Sequence, residues 1–301
     1  MTIFRNTLLL YLFLIPQLLF AQELAKPEPD TTLLKNRLIW GSAALATGYT
    51  TSLIVLSNTW YSKADRTSFH FFNDNHEWKQ MDKIGHFWGA FHQSRLGVDF
   101  LKSANVPEKK AIIWGGLLGV VLQSPIELLD GYVASYGASL GDLGANALGS
   151  AAVIAQQLKW GQLRVIPKYS FRPTPFAANR PNVLGSTFSE QLLKDYNGQT
   201  YWLSADISAF LPKTSRYPKW LNIAFGYGAN GMVHAHDLTN QQAGYTSYRQ
   251  YYLALDLNLL NIKTQNKFLK GVFYVLSVVH LPAPAVEYNR HQGIRIHPIY
   301  F

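Results

Sequence analysis

The chain has 301 residues, enough for two modest domains or one large one. Hydrophobic residues make up 48% and charged residues 15%; the charged share falls well under the usual quarter and points to a membrane or a large buried interior. The formal net charge is +9 and there is no cysteine, which excludes disulfides, Cys-ligated zinc, thiol nucleophiles and a lipid attached through an N-terminal cysteine.

Residues 1–21 read as a secretory signal peptide. Arg5 supplies the positive start, Leu8 to Leu14 the apolar run, and Ala21 a small residue for cleavage before Gln22. Export argues against nucleic acid as the partner of the basic charge. Anionic membrane lipid or an envelope polymer fits better. Residues 22–33, with Pro27 and Pro29, form a polar leader. Leu38 to Tyr61 carries no charge and has the length of a membrane-spanning helix. Its Gly, Ser and Thr residues suit close packing in a membrane and equally a helix buried in a bundle. Ser62 to Gln80 is a polar, aromatic surface loop in which His70 and His76 read as exposed.

Three helices with paired polar groups follow. Asp82 to Ala104 places Asp82 and His86 one turn apart. Lys109 to Leu129 has the small-residue stretch Gly115-Gly116-Leu117-Leu118-Gly119 in its middle. Pro125 and then Glu127 and Asp130 lie near its end. After a turn at Gly131 to Ala138, a third helix begins. Ser139 can cap it with Asp142 at the third position, and Asn146 lies one turn deeper. Asp142 has two readings, a helix cap and a site carboxylate. The three polar faces are expected to converge, with His86 near at least one of Glu127, Asp130 and Asp142.

The pattern Asp82-Lys83-x-x-His86-Phe87, a late Glu127, then Asp142-x-x-x-Asn146-x-x-Gly149, resembles VanZ-like membrane proteins. With Asp130-Gly131 and Ser139 added, it is more similar to the YfiM-like envelope family, a domain of unknown function described as a predicted periplasmic lipoprotein. The resemblance covers roughly residues 35–160. It implies an envelope location and a helical domain, and carries no established reaction. The chain departs from it in two ways. Leu129-Asp130 stands where VanZ-like proteins commonly have a Gln, and there is no lipoprotein cysteine.

From Gln162 the texture changes. Pro167, Pro173, Pro175 and Pro181 mark a linker over residues 162–198. Alternation then predicts strands at Tyr201 to Phe210, Trp220 to Gly228, Arg249 to Ile262 and Gly293 to Phe301. Phe268 to Leu281 is apolar and fits strand or helix. Four or five strands are too few for the smallest single-chain barrel of eight. No phosphate-binding glycine loop, His-Glu-x-x-His or Gly-x-Ser-x-Gly is present, and no cofactor is expected. His234-Ala235-His236-Asp237 reads as a polar loop in preference to a metal site.

The sequence therefore predicts an α+β protein: a membrane-associated helical bundle over residues 34–161, then a small antiparallel β-rich part over residues 199–301. It is expected in the exported envelope, facing the periplasm, with the outer membrane favoured over the inner. The expected role is binding or scaffolding around a buried cluster of Asp82, His86, Glu127, Asp130, Asp142 and Asn146. The alternative is an enzyme acting on a lipid-linked or cell-wall substrate with the same six groups as catalytic candidates. His86, Glu127 and Asp130 would then be candidate ligands for a divalent metal. The sequence sets no oligomeric state.

Overall fold

The computed structural model describes residues 31–61 and 64–301. The expected signal peptide and all but the last three residues of the polar leader lie outside them. The chain is α+β and divides into two compact units, each assembled from separated stretches. The helical unit takes the chain up to Asp74, Gly89–Leu163 and Thr264–Val275. The sheet unit takes Asn75–Trp88, Arg164–Lys263 and Leu276–Phe301.

The helical unit contains α1 (Thr31–Trp60), α2 (Met81–Ser103) from Gly89 onward, α3 (Glu108–Gly116), α4 (Leu118–Asp130) and α5 (Leu140–Trp160). The single helix expected over Lys109 to Leu129 is broken in two at Leu117. Gly115 and Gly116, the weakest helix formers short of proline, supply the break. The amides of Gly119 and Val120 at the start of α4 donate to Ser94 Oγ and Ser150 Oγ, both at 3.1 Å. Those two hydroxyls lie 2.9 Å apart, so α2 and α5 cap α4 from the side. Glycines let the backbones touch. A Cβ on Gly115 would lie 2.5 Å from the Gly97 carbonyl carbon of α2. Phe91, Val98, Ala111, Ile112 and Val153 fill the core between these helices. The Tyr49 hydroxyl of α1 donates to the Leu122 carbonyl at 2.7 Å. Among the described residues, two stretches are long and apolar enough to cross a membrane: Leu34–Asn58, with mean hydropathy 1.3, and Glu108–Asp130, with mean hydropathy 1.6.

Phe268 to Leu281, open between strand and helix in the sequence, forms α6 (Lys267–Leu276). Up to Val275 it belongs to the helical unit. Tyr274 donates to Asp99 at 2.7 Å and its ring lies 4.0 Å beneath the Arg95 guanidinium.

The sheet unit is a six-stranded antiparallel meander in chain order: β1 (Val165–Phe171), β2 (Gln199–Ala205), β3 (Leu221–Asn230), β4 (Tyr248–Leu257), β5 (Ala283–Asn289) and β6 (Gly293–Tyr300). This is one or two strands more than the alternation suggests. β1 lies inside the stretch read as a linker. Pro167 sits in it without cost to the β1–β2 ladder, because its nitrogen faces away from β2, on the side where the Tyr169 amide two residues on donates to the Val278 carbonyl. Opposite Pro284 of β5 the register shifts, because β6 has one extra residue between His297 and Tyr300.

The two faces of the sheet have unusual sidedness. The inward face carries Lys168, Ser204, Asn222, Gln250, Asp256 and Glu287, all buried. The outward face carries Leu203, Phe225 and Leu253, which are 46%, 51% and 56% exposed. Trp202, Tyr252 and Tyr300 form the inner aromatic core. The Tyr300 hydroxyl meets Thr200 Oγ1 at 2.9 Å and donates to the Tyr252 hydroxyl at 2.8 Å. β6 therefore reaches back over β2 and β4, and the sheet curls around its polar face.

Candidate functional site

The six candidate residues fall into two sets. Glu127, Asp130, Asp142 and Asn146 belong to the helical unit, Asp82 and His86 to the sheet unit.

In the helical unit the polar groups knit the turn between α4 and α5. Glu127 is buried, and its Oε2 accepts the Ser139 amide at 3.0 Å. Ser139 Oγ in turn accepts the Asp142 amide at 3.1 Å, the cap the sequence suggested, and donates to Asp74 Oδ1 at 2.6 Å. Asp130 Oδ1 accepts the Tyr61 hydroxyl at 2.7 Å. The Asp130 carbonyl accepts the amides of Val133 and Gly137. Asp142 and Asn146 are buried one turn apart in α5. Their helix starts where a carboxylate at the third position favours the dipole. The loop before α2 is drawn in as well. Phe72 donates its amide to the Ala138 carbonyl, and His70 donates its amide to the Gly131 carbonyl. Asp74 and Tyr61 are members the sequence reading missed. Neither stands at a helical spacing from its partner, so nothing local announces them.

In the sheet unit Asp82 and His86 share one face of the first turns of α2, with Nε2 3.9 Å from Oδ1. The Tyr196 hydroxyl donates to Asp82 Oδ1 at 2.9 Å and Lys83 Nζ lies 3.4 Å from Oδ2. Burial acts to raise the Asp82 carboxyl. His86, Lys83 and the Tyr196 hydroxyl outweigh it and hold the group below the usual carboxylate range. Tyr196 lies in the stretch read as linker, so its role was hidden.

The turn that delivers Asp82 is strained. Trp78, Lys79 and Gln80 have φ of 46°, 55° and 64°, a left-handed run that costs non-glycine residues about 1–2 kcal/mol each. Polar contacts hold it. Lys79 Nζ donates to Asp237 at 2.5 Å, and the Lys79 carbonyl accepts the Tyr227 hydroxyl at 2.6 Å. Arg249 donates to Gln80 Oε1 at 2.7 Å. Strain maintained by surrounding structure commonly marks a functional position. His236 lies 3.2 Å from Glu77, and His234 Nδ1 lies 3.0 Å from Arg180. The histidine pair is thus spent on separate partners.

A further polar group escaped the sequence reading altogether. Lys168 and Asp256, both buried, pair at 2.6 Å on the inward face of the sheet. Ser204 donates to the same carboxylate at 2.5 Å. His280 stacks on Trp202 at 4.0 Å and lies 3.9 Å from Asp256. Burial pushes the His280 imidazole down to about 4. The Asp256 carboxylate pulls it up, and the Lys168 ammonium adds to the depression. These residues are far apart in sequence and only the β-register brings them together.

Residues 70–157 match the model of a family described as predicted periplasmic lipoprotein, DUF2279. The match contains all six candidate residues and supports an exported, envelope-associated protein similar to a family of unknown function. No curated protein matches the chain, and no solved structure does.

Proposed function

We propose that this is a membrane-associated binding or scaffold protein of the cell envelope. In this reading Asp82, His86, Glu127, Asp130, Asp142 and Asn146 serve as internal framework, and the partner is membrane lipid or an envelope polymer. One observation carries the reading. In the helical unit the acidic groups are engaged in shaping the turn between α4 and α5, through Glu127 to the Ser139 amide and Asp130 to Tyr61. Carboxylates committed to backbone and hydroxyl donors act as structure.

A second reading has its own support. Asp82 is held ionised beside His86, behind a strained turn. A carboxylate and an imidazole one turn apart can bind a divalent cation or exchange a proton with a lipid-linked or cell-wall substrate. YfiM-like and VanZ-like kinship belongs to this proposal too, on the motif residues already quoted.

Glu127→Gln and His86→Gln distinguish the readings. A framework predicts that both variants lower the melting temperature, and that any phenotype tracks the loss of folded protein. An enzyme predicts that His86→Gln melts like the parent, accumulates normally and abolishes the phenotype. Calorimetric titration of the parent with Mn²⁺ and Zn²⁺ completes the test; saturable binding lost in His86→Gln would overturn the framework reading.

A further inference from the structure

The outward face of the sheet is ordered by depth. Strand register stacks Tyr169, Tyr201, Tyr227, Tyr251 and Tyr288 into one row across β1–β5. The next row along the strands on that face is Leu203, Phe225, Leu253, Val286 and Ile296, and beyond it Ile223 pairs with Leu255. On the other side of the tyrosine row stands Arg249, opposite Ala229. At the far margin Trp220 precedes β3 and is 49% exposed, with Lys219 and Arg216 beside it in sequence. Along the outward face the order is therefore basic at Arg249, aromatic at the tyrosine row, then apolar.

Residues 78–88 cover the tyrosine row over β1–β3. Trp88 packs 5.9 Å from Tyr169, and a Cβ on Gly85 would lie 2.9 Å from the Tyr201 hydroxyl. The tyrosine row is open from β4 onward, and the apolar row is open from Leu203 of β2 and Phe225 of β3 onward. Tyr288 is 51% exposed and Ile296 is 77% exposed. A sheet with one face in water turns polar residues out and apolar residues in. Here the polar residues are turned in, around Lys168 and Asp256, and the apolar ones out.

We infer that this outward face lies against the hydrocarbon of a phospholipid bilayer, with the tyrosine row at headgroup level and Arg249 among the phosphates. Tyrosine suits that level because its ring is apolar and its hydroxyl polar, and arginine complements anionic lipid. The apolar rows run from Leu221 to the tyrosine row at Tyr227, about 20 Å at the usual rise. The inference rests on the membrane-associated reading above and names the surface that makes the contact.

The absence of cysteine allows a clean test, since each introduced thiol is unique. Phe225→Cys, Leu253→Cys and Val286→Cys lie on the open face, and Gln242→Cys on the exposed helical turn between β3 and β4 is the control. The full chain, nitroxide-labelled and with the parent's melting temperature, is reconstituted into vesicles of phosphatidylethanolamine and phosphatidylglycerol and floated on a gradient. Power saturation then compares accessibility to oxygen and to a water-soluble nickel chelate. The expected oxygen-to-nickel ratio at the three face positions is several-fold above that at position 242. Nickel-accessible face positions in chains that float would overturn the inference while leaving membrane association intact. Low access to both reagents with spin–spin broadening would assign the face to a second copy of the chain and equally overturn it. Chains that fail to float would overturn the membrane reading itself.

Discussion

Ser139 links more of the candidate site than any carboxylate does. Its hydroxyl accepts the Asp142 amide and donates to Asp74, and its amide donates to Glu127. Ser139→Ala should lower unfolding stability by about 1–2 kcal/mol, the usual cost of a lost helix cap, and Ser139→Thr should recover most of it. Denaturant titration in detergent reads both. The Ser139 cap was legible because a cap is a local pattern. Tyr61, Asp74 and Tyr196 were not, because their partners lie 69, 65 and 114 positions away. His280 belongs to the same hidden class and gives a pH signature. Its folded value near 4 lies below the ordinary 6.5. The unfolded chain therefore takes up a proton first. Stability from the neutral ring is complete above about pH 6.5, falls between about 6.5 and 4, and levels off below, a loss of about 3 kcal/mol. Unfolding midpoints from pH 7 to 4 should show that slope in the parent and a shallower one in His280→Gln.

At the scale of elements, glycine decides where helices can meet. A side chain on Gly115 would strike the Gly97 carbonyl carbon and the Val98 amide nitrogen, both at 2.5 Å. Backbone atoms cannot step aside as a side chain can. Gly115→Ala should cost about 1–3 kcal/mol through overpacking, despite the better helix propensity of alanine. Gly144 is exposed in α5 with nothing within 4 Å of its Cβ position. Gly144→Ala should add about 0.8–1 kcal/mol. Opposite shifts in melting temperature for two Gly→Ala changes check the helix crossing directly. The small-residue stretch was visible in the sequence; its breaking into α3 and α4 was not, because the break depends on Ser94 and Ser150 from other helices. Strands behaved the same way. β2, β3 and β4 alternate cleanly, and β6 does so up to His297, where an extra residue beside Pro298 turns Tyr300 inward. β1 and β5 contain Pro167 and Pro284, which read as punctuation and are accommodated where β1 faces away from β2 and opposite that extra residue.

At the scale of the whole molecule, alternation revealed which residues share a face and left open which face points inward. Contacts between strands far apart in the chain, the paired Lys168 and Asp256 foremost, identify the polar side as the buried one. The same pair determines which fragments can fold. The sheet unit is assembled from Asn75–Trp88, Arg164–Lys263 and Leu276–Phe301. A fragment beginning at Gln199 keeps β2–β6 and loses β1, and with it Lys168. Asp256 then stays buried with its charge uncompensated, at a cost of about 3–5 kcal/mol, a large share of what a small domain possesses. It also loses the segment over the tyrosines of β2 and β3, since Gly85 packs on Tyr201 and Lys79 accepts from Tyr227. The fragment 199–301 is therefore expected to lack near-ultraviolet circular dichroism and to aggregate. Restoring residues 164–198 and supplying 75–88 as a tethered segment should recover a cooperative transition. A cooperatively folded 199–301 fragment would show that the meander stands without β1, and that Lys168 and the covering segment are dispensable to it.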